Sequence, residues 1–577
     1  MSRISGTISP RKAPVFDQHF HDDVVRAARE RAETLLARGE DDLAHESHRE
    51  LMRGAKVLLS LVVADGLSDA ERRSALDAVL SRLTALRSLQ SGSGLFAGGD
   101  NIQSPPDSAF TINDACDAHE LLAPLRGEAS VDSVLALLET IIGDATEPLV
   151  TGGVHTPNHR WEISAALARI HRSFPDDRLV RRIHEWLAEG VDVDADGLYS
   201  ERSPNYAAHV TNPSLHALAR ILRLPELDAI VVRNLEATLL LIRPDDTVET
   251  IQSRRQDQMG GFPLSAFVAS YRRAAVTTGR SDFAGAAVRA ARSADLDPEL
   301  LAETQLDATL VETLPHAVHA PERSSYFLES IGMAGRRSEG TEAVVYAGSD
   351  YPRHRMIRSG LANNPTFCRV FAGEAILDSV RLSRAFFDMG PFRPGSIRRE
   401  SDVRYRLEET VEAAYYQPLR AEDRAADGRY DLLDDGRFSA SMAFPLRPRD
   451  VVAMTTVADV RLRQGGVDIE LRIDAPPIEW SLDFVFRPGG VVEGGVRHPD
   501  GCWVLESGRG AYRVGESRIL IDVEGAQLSE RPLPYQPGQD YGFLGATDVP
   551  AGVRVRVGGA APCSFLVRIR ADQESAR

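Results

Sequence analysis

The hydrophobic period of this chain changes once, near Pro321, and this change limits the fold more than any other feature. Before it, apolar residues recur at three- and four-residue spacing, as in DDVVRAARERAETLLARG and VDSVLALLETIIGD. After it the period becomes two, and Gly and Pro separate short runs such as VDIELRIDA and VRVRVGG. The pattern predicts helices followed by strands.

The chain has 577 residues, more than one hydrophobic core normally serves, so we expect a multi-domain α+β protein. Residues 1–15 are expected to form a tail. Helical hairpins over 16–320 predict an N-terminal incomplete (α/α) toroid; a solenoid is the alternative, although no repeat of fixed period is present. The many short strands over 321–577 predict a C-terminal antiparallel β-sandwich.

Net charge and composition limit the classes of partner that the chain is expected to bind. The formal net charge is -17 and the pI about 5.4, which argues against nucleic acid as a partner. An anionic substrate remains open, because a local arginine cluster acts within a Debye length of roughly 8 Å. No run of 18 apolar residues exists, so no membrane partner is expected. The sequence does not decide whether the chain forms a homo-oligomer.

The N-terminal residues MSRISGTISPRKAPVFDQHF have no apolar core and no small-residue cleavage site of the secretory kind. The four cysteines are scattered without metal-type spacing, which suits a reducing compartment. Both observations predict a cytoplasmic protein.

Two segments of the helical half combine side chains that suit one type of chemistry. The first, Thr156-Pro-Asn158-His159-Arg160, places an amide, an imidazole and a cation at the start of a helix. The second, DGLYSERSPNY, ends on Tyr206. Each residue also has an ordinary interpretation, since Asn158 suits a helix cap and Tyr206 suits a core position.

β-Elimination explains why these residue types belong together. The C5 proton of a uronate is weakly acidic, so a donor must neutralise the adjacent carboxylate as an oxyanion hole does. A base then takes the proton, and an acid protonates the departing O4. An amide, an imidazole and a phenol supply these functions without a hydrolytic water.

The order and spacing of Asn158-His159 and Tyr206 resemble those of alginate lyases with an α/α toroid. The segment DGLYSERSPNY is similar to the DG-x-x-x-E-R-S-x-x-Y stretch of heparinase II/III-like polysaccharide lyases. The resemblance implies that Tyr206, His159 and Asn158 are catalytic. It covers the helical half well and the β half only in general character.

The sequence departs from that family at one motif. The resemblance implies a GHGHAD-type segment in the β domain, carrying a catalytic or zinc-binding histidine, and this chain lacks it. The nearest region is SDYPRHR, which contains His354, followed by Asn363-Asn364. The second proton carrier therefore stays open.

Further residues are candidates for substrate binding because they flank the two segments or form the polar stretch QSRRQDQ. They are Arg160, Asn205, Arg202, Arg254, Arg255, Gln256, His209 and His354. Paired arginines suit a carboxylate, and a solvated loop is the alternative for QSRRQDQ. Glu162, one turn into its helix, is expected to face the helix dipole.

No cofactor is expected, with calcium and zinc left open. Asp192, Asp194 and Asp196 with Gly197 resemble the first half of a calcium loop, but the twelfth position is Ser203 instead of Glu. These acids are more simply explained as shaping the turn before Tyr199.

Three functions compete. The leading one is a lyase that cleaves an anionic, uronate-containing oligosaccharide or polysaccharide. The second is an α/α-toroid glycoside hydrolase using carboxylates such as Glu201 and Asp257, which would have to lie about 5 to 10 Å apart. The third is a non-catalytic carbohydrate-binding protein, which would need more aromatic surface than a chain with 6% aromatic residues offers.

Overall fold

The structure is a computed structural model. It describes residues 15–64, 66–98, 101–292, 296–318, 323–338, 340–353, 360–434, 439–538 and 551–573. Within these residues, no helix is both long and apolar enough to cross a membrane.

The first half of the chain is built of helices. The α-helices are α1 (Gln18–Leu36), α2 (Glu40–Leu43), α3 (His48–Val63), α4 (Asp69–Leu89), α5 (Pro105–Leu122), α6 (Ala129–Thr151), α7 (His159–Ser173), α8 (Asp177–Leu187), α9 (Pro204–Tyr206), α10 (Asn212–Leu222), α11 (Pro225–Leu241), α12 (Val268–Thr278), α13 (Ser281–Ala291) and α14 (Leu300–Leu306). A π-helical turn spans Ala207–Thr211, and short 3-10 helices span Ala123–Leu125, Gln256–Met259, Leu264–Phe267 and Ala308–Val311.

Capping residues in the sequence stabilise the start of several of these helices. The side chains of Ser47 and Ser68 each accept a hydrogen bond from the backbone N–H of the third helical residue, Glu50 or Glu71. The carboxylate of that glutamate accepts a hydrogen bond from the backbone N–H of the serine. Such capping boxes satisfy two of the donors that a helix start leaves open. Helices close in the chain then pack against one another, including α3 with α4, α5 with α7, α7 with α10 and α12 with α13. The helical half is the incomplete α/α toroid that the sequence predicts.

The second half is built of strands. They are β1 (Thr247–Val248), β2 (Phe262–Pro263), β3 (Arg323–Leu328), β4 (Met333–Ser338), β5 (Thr341–Tyr346), β6 (Cys368–Ala372), β7 (Ala375–Arg384), β8 (Ile397–Ser401), β9 (Arg404–Tyr416), β10 (Leu433–Asp434), β11 (Ser439–Ala440), β12 (Arg449–Arg463), β13 (Gly466–Phe486), β14 (Val491–Glu493), β15 (Val496–Arg497), β16 (Trp503–Val504), β17 (Arg509–Val514), β18 (Ser517–Glu524) and β19 (Val553–Gln573). Short 3-10 helices span Glu329–Ile331, Tyr351–Arg353, Ala421–Asp423 and Phe444–Leu446.

Most strands share one hydrogen-bonded network in the order β14-β17-β18-β19-β13-β7-β6-β5-β4-β3, and β12, β9 and β8 continue from β13. The long strand β13 pairs with β12 in its first part and with β7 in its last part, and its register to β19 shifts between Ile473 and Ile478. The pairings are antiparallel except between β16 and β19. Trp480 stacks on Phe565 in the core, with ring centroids 4.4 Å apart. This is the predicted antiparallel β-sandwich.

The chain divides into two compact units. The β unit contains residues 321–577 together with two short segments from the first half, Glu201–Pro204 and Leu240–Phe262. A boundary near Pro321 alone would leave both segments in the helical domain. They fold with the sheet because their charged side chains have buried partners there.

Arg243 anchors the second of these segments. Its guanidinium is 1% exposed and lies between the fully buried carboxylates of Glu249 and Glu342. It also donates to the Tyr326 hydroxyl at 2.7 Å, and Arg369 donates to Glu249 at 2.6 Å. Pairing of this kind is what makes buried charge tolerable in a protein interior.

Arg243→Ala should therefore lower the free energy of unfolding by about 3–5 kcal/mol, because it leaves two buried carboxylates short of a counter-charge. Chemical denaturation followed by far-ultraviolet circular dichroism measures this. The control is Arg398→Ala, which breaks an exposed pair with Glu400 and should cost less than about 1 kcal/mol. Equal losses in the two variants would contradict the role given to Arg243.

Candidate active site

Asn158 occupies the N-cap position of α7, but its side chain does not cap the helix. It is 2% exposed, and its Oδ1 accepts a hydrogen bond of 2.6 Å from Thr156 Oγ1. Its Nδ2 is buried and has no hydrogen-bond acceptor among the residues that the structure describes. The capping interpretation of the side chain is thus wrong, because the backbone of Asn158 is already helical (φ −66°, ψ −25°). The amide is left with donor capacity for a ligand.

His159 and Arg160 begin the helix. The His159 ring is half-buried and meets the His155 ring edge-to-face, with centroids 4.6 Å apart. Arg160 is bound to protein carboxylates, since it donates to Glu189 and Asp192 at 2.9 Å each. In this geometry Arg160 ties the start of α7 to the loop before Tyr199, and its contact with substrate stays a prediction.

Tyr206 ends the single helical turn α9, and the π-helical turn Ala207–Thr211 follows directly before α10. Such π-turns are rare and occur often at functional sites. Helix α7 packs against both the π-turn and α10. Tyr206 therefore lies directly before two elements that pack against α7, the helix that Asn158 and His159 begin.

A chain of hydrogen bonds holds the start of α10. The Tyr199 hydroxyl donates to Asn212 Oδ1 at 2.7 Å, Asn212 Nδ2 donates to Asn234 Oδ1 at 3.1 Å, and Asn234 Nδ2 donates to the Gly197 carbonyl at 3.1 Å. Gly197 has φ +99°, and a Cβ there would lie 2.5 Å from the Arg233 carbonyl oxygen. Gly197 and Tyr199 of the DGLYSERSPNY motif thus have structural roles at the start of α10.

The aspartates before this motif shape its turn, as the sequence suggested. Asp194 Oδ1 accepts from the Leu198 backbone at 2.9 Å, and Asp192 accepts from Arg160 and from Ser200. Among the described residues, no group of three or more His, Cys, Asp and Glu side chains is arranged to hold a metal ion. The expectation that no cofactor is used, with calcium and zinc left open, stays a prediction.

A cavity of about 190 Å³ opens inside the helical unit beside the π-turn. Its lining includes His209, Arg49 and Glu162. His209 was a sequence candidate, and desolvation by the surrounding walls lowers the pKa of its imidazole. The half-buried Asn205 lies one residue before Tyr206.

Arg49 is a site residue that sequence reasoning missed. Its guanidinium pairs with Asp107 and lies 3.8 Å from the centre of the Phe110 ring. Burial lowers its pKa, and the charges of Glu162 and Tyr206 oppose that shift, so Arg49 is within electrostatic reach of the candidate phenol. No local signal in HRELMR distinguishes Arg49 from an ordinary helical arginine.

Asp107 in turn is held by His48. The imidazole lies 2.9 Å from Asp107 Oδ2 and 2.7 Å from Thr111 Oγ1. Burial lowers the pKa of His48 to about 4, so its ring is neutral at physiological pH. A neutral His48 leaves Arg49 as the cation that balances Asp107.

Glu162 lies in the first turn of α7, where it was expected to face the helix dipole, and its side chain is only 5% exposed. Its Oε1 accepts from Asn113 Nδ2 at 2.7 Å, and its Oε2 accepts from Ser214 Oγ at 3.2 Å. Burial raises the pKa of Glu162 to about 7, while the hydrogen bond from Asn113 opposes the shift.

The remaining candidates belong to the β unit. Arg202 has φ +52° and donates to the Ser330 carbonyl at 2.8 Å. Arg254 forms a two-point contact with Asp350 at 2.7 and 3.0 Å, and Arg255 lies 3.5 Å from a Glu201 carboxylate oxygen. Gln256 is exposed, and His354 lies outside the described residues.

The two carboxylates considered for hydrolysis are also in the β unit. Asp257 accepts from Ser203 at 2.7 Å and from Ser253, one bond on each oxygen. Glu201 is 8% exposed and carries the contact to Arg255.

No family model and no curated protein sequence matches this chain. Solved structures do match. Heparinase III is 10% identical, with 92% of this chain and 77% of that chain covered at a TM-score of 0.54. Chondroitin AC lyase of Streptomyces coelicolor A3 is 13% identical, with 99% of this chain and 81% of that chain covered at a TM-score of 0.50. Xanthan lyase of Paenibacillus is 8% identical, with 97% of this chain and 57% of that chain covered at a TM-score of 0.52.

The chain has the fold of these polysaccharide lyases. The resemblance predicted from the sequence is confirmed at the level of fold, which is what likeness at such low identity shows. The resemblance in sequence covered the helical half well and the β half only in general character, whereas the shared fold extends over both halves of the chain.

The pKa of Glu162 leads to a stability prediction. The unfolded chain releases this proton near the ordinary value of 4.5 and the folded chain near 7. The folded state therefore loses stability relative to the unfolded state as the pH rises between these values, by at most about 3 kcal/mol. The Gln side chain of Glu162→Gln does not titrate. The free energy of unfolding of this variant should therefore rise relative to that of the wild type as the pH increases to about 7, and the difference between the two should stay constant above that pH.

Denaturation in urea at several pH values between about 5 and about 8 measures this difference. A difference between the two proteins that does not change with pH would show that Glu162 titrates normally.

Proposed function

We propose that this protein is a polysaccharide or oligosaccharide lyase that cleaves a uronic-acid-containing glycan by β-elimination and leaves a 4,5-unsaturated uronate end. The observation that carries the proposal is the buried Asn158 Nδ2, which lacks a hydrogen-bond acceptor in the described part of the chain. Asn158 lies at the start of α7, next to His159. The solved structures with this fold include enzymes named for heparan, chondroitin and xanthan, all of which act as lyases by name.

A buried amide donor costs about 1–3 kcal/mol when it has no acceptor. A uronate carboxylate would satisfy it and would gain a hydrogen bond in return. That bond strengthens as the C5 proton leaves and charge moves onto the carboxylate oxygens, which is how a fixed donor accelerates a reaction. Asn158 thus acts as the neutralising donor.

Tyr206 transfers the proton. As phenolate it takes the proton from C5, and as phenol it returns a proton to O4, so that the C4–O4 bond breaks and a C4–C5 double bond forms. His159, at the start of the neighbouring helix, supports the proton state of the phenol. Arg49 supplies positive charge within electrostatic reach of Tyr206.

The substrate is expected to be anionic, and the arginines of the β unit (Arg202, Arg254 and Arg255) remain candidates for binding its acidic groups. Each already has a protein partner at Ser330, Asp350 or Glu201. Which uronate and which linkage the enzyme accepts is a matter for a substrate screen. No cofactor is needed for the steps proposed.

The first test is the product. Incubation with a panel of uronate oligosaccharides should yield a product that absorbs in the near ultraviolet, because elimination conjugates the new double bond with the carboxylate. A hydrolase using Glu201 and Asp257 would release reducing ends without that absorbance. The latter result would replace the lyase proposal with the hydrolase.

Tyr206→Phe should reduce turnover by about a hundredfold or more while substrate still binds, because it removes the proton-carrying hydroxyl and keeps the ring. The rate of absorbance increase and the KM measure these effects. Tyr271→Phe is the matched control, since its hydroxyl donates to the Leu235 carbonyl inside the same unit, and its turnover should stay near the wild-type value. If Tyr206→Phe keeps more than about a tenth of the activity, the tyrosine is structural.

Asn158→Ala should also lose about a hundredfold in turnover, as removal of an oxyanion donor does. Its free energy of unfolding should fall by only about 1 kcal/mol, because only the bond from Thr156 is lost. Asp176→Ala provides the contrast, since Asp176 does cap its helix through the Arg178 backbone and should lose stability without losing activity. Full turnover in Asn158→Ala would remove the carboxylate donor from the mechanism.

A further inference from the structure

Glu162 lies four residues after Asn158, so the two side chains start from the same face of α7. Glu162 is 5% exposed, and it lines the cavity beside the π-turn. A carboxylate is costly to bury unless hydrogen bonds replace its hydration. The hydrogen-bond partners of the Glu162 carboxylate therefore indicate its structural role.

The two carboxylate oxygens bind two different helices. Oε1 accepts from Asn113 on α5 at 2.7 Å, and Oε2 accepts from Ser214 on α10 at 3.2 Å. Since Glu162 itself belongs to α7, one side chain joins three helices. Two of them carry the candidate chemistry, because α7 begins at Asn158 and His159 and α10 continues the helical run from Tyr206.

Both partners are themselves anchored. Asn113 Oδ1 accepts from Arg169 at 3.0 Å, and Arg169 also donates to Asp117 at 2.8 Å. On the other side, Ser214 lies two residues after Asn212, which is fixed by the Tyr199 hydroxyl. Glu162 thus connects two segments, and each of these segments is also held in place by further hydrogen bonds.

From this geometry we infer that Glu162 is a positioning residue, which holds the helix start bearing Asn158 and His159 in register with the segment bearing Tyr206. The inference rests on the proposed lyase function for its kinetic consequences. It does not require Glu162 to touch substrate. Displacement of a reacting group by about 1 Å is enough to cost up to a hundredfold in rate.

The protonation state of Glu162 suits such a role. With the pKa raised to about 7 by burial, the neutral form is available at physiological pH, and both forms bind Asn113 and Ser214. The charged groups that act on it are Arg169 on its own helix, Asp114 on α5, and Arg49 and Arg53 on α3. A neutral amide of the same shape should therefore replace it.

The experiment compares Glu162→Gln with Glu162→Ala. The Gln variant keeps an acceptor for Asn113 and supplies a donor for Ser214, so kcat should stay within about threefold of the wild type. The Ala variant removes both bonds, so kcat should fall at least about tenfold with KM changed less than about threefold. Rescue by Gln separates hydrogen-bonded positioning from a need for charge.

Two further variants complete the kinetic test. Ser214→Ala should lower kcat in the same direction, and adding it to Glu162→Ala should cause no further loss, because both remove the same bond. Glu46→Ala is the control, since it removes another buried carboxylate of the helical unit whose partner is Arg38, and its kcat should be unchanged.

Amide hydrogen exchange tests the inference without any substrate. Exchange in residues 156–162 and 204–214 should rise together in Glu162→Ala and stay at the wild-type level in Glu162→Gln. If wild-type protein yields no unsaturated product from any uronate glycan, the lyase proposal fails and hydrogen exchange still decides the role of Glu162.

Three results would overturn the inference: unchanged kcat in Glu162→Ala, loss of kcat in Glu162→Gln equal to that in Glu162→Ala, or exchange that rises in only one of the two segments. If Glu162→Ala does not fold, Ser214→Ala and Glu162→Gln carry the same comparison.

Discussion

Charged and polar side chains inside the helical unit need partners, and the way they obtain them sets the geometry of the unit. Lys56 on α3 pairs with Asp114 on α5 at 2.5 Å, and Arg169 on α7 pairs with Asp117 on α5 at 2.8 Å. Taking such charges out of water costs several kcal/mol for each ion unless the pairing is good. The helices that surround the cavity are therefore fixed by polar contacts as well as by apolar packing.

Against this background the amide of Asn158 differs from the carboxylate of Glu162. Glu162, one turn later, has both oxygens hydrogen-bonded, whereas the Asn158 Nδ2 has no acceptor in the described residues. Buried donors without partners are rare in folded proteins, and each one calls for an explanation. In the proposed lyase, the carboxylate of the substrate would supply the missing acceptor.

The β unit shows the same dependence of position on buried charge. Arg243 and Glu249 lie in a segment that is helical-domain sequence by its place in the chain, yet their partners Glu342 and Arg369 are on strands. The segment carrying Arg254 and Arg255 follows directly, so its placement is decided by these pairs. Hydrophobic period has no means of indicating such a connection, because the paired residues lie about a hundred positions apart in the chain.

Local sequence patterns determined the fold class. The three- and four-residue spacing of apolar side chains, the capping boxes at Ser47 and Ser68, and the alternation beyond Pro321 each depend on neighbours in the chain. The same holds for the turn before Tyr199, where Asp192 and Asp194 bind residues within eight positions. Side-chain periodicity and short turns are visible in one dimension, so the predicted fold class and the predicted turn before Tyr199 agree with the structure.

The sequence by itself predicted only part of the candidate site. Its central residues, Asn158, His159 and Tyr206, were selected from two short segments, and in the structure Tyr206 directly precedes the π-turn and α10, which pack against α7. Tertiary structure alone showed that the Asn158 side chain is not a cap, that Arg160 is bound to carboxylates, and that Arg49 and Glu162 line one cavity. The physical reason is that hydrogen bonds and charge act across space, and their partners come from helices far apart in sequence.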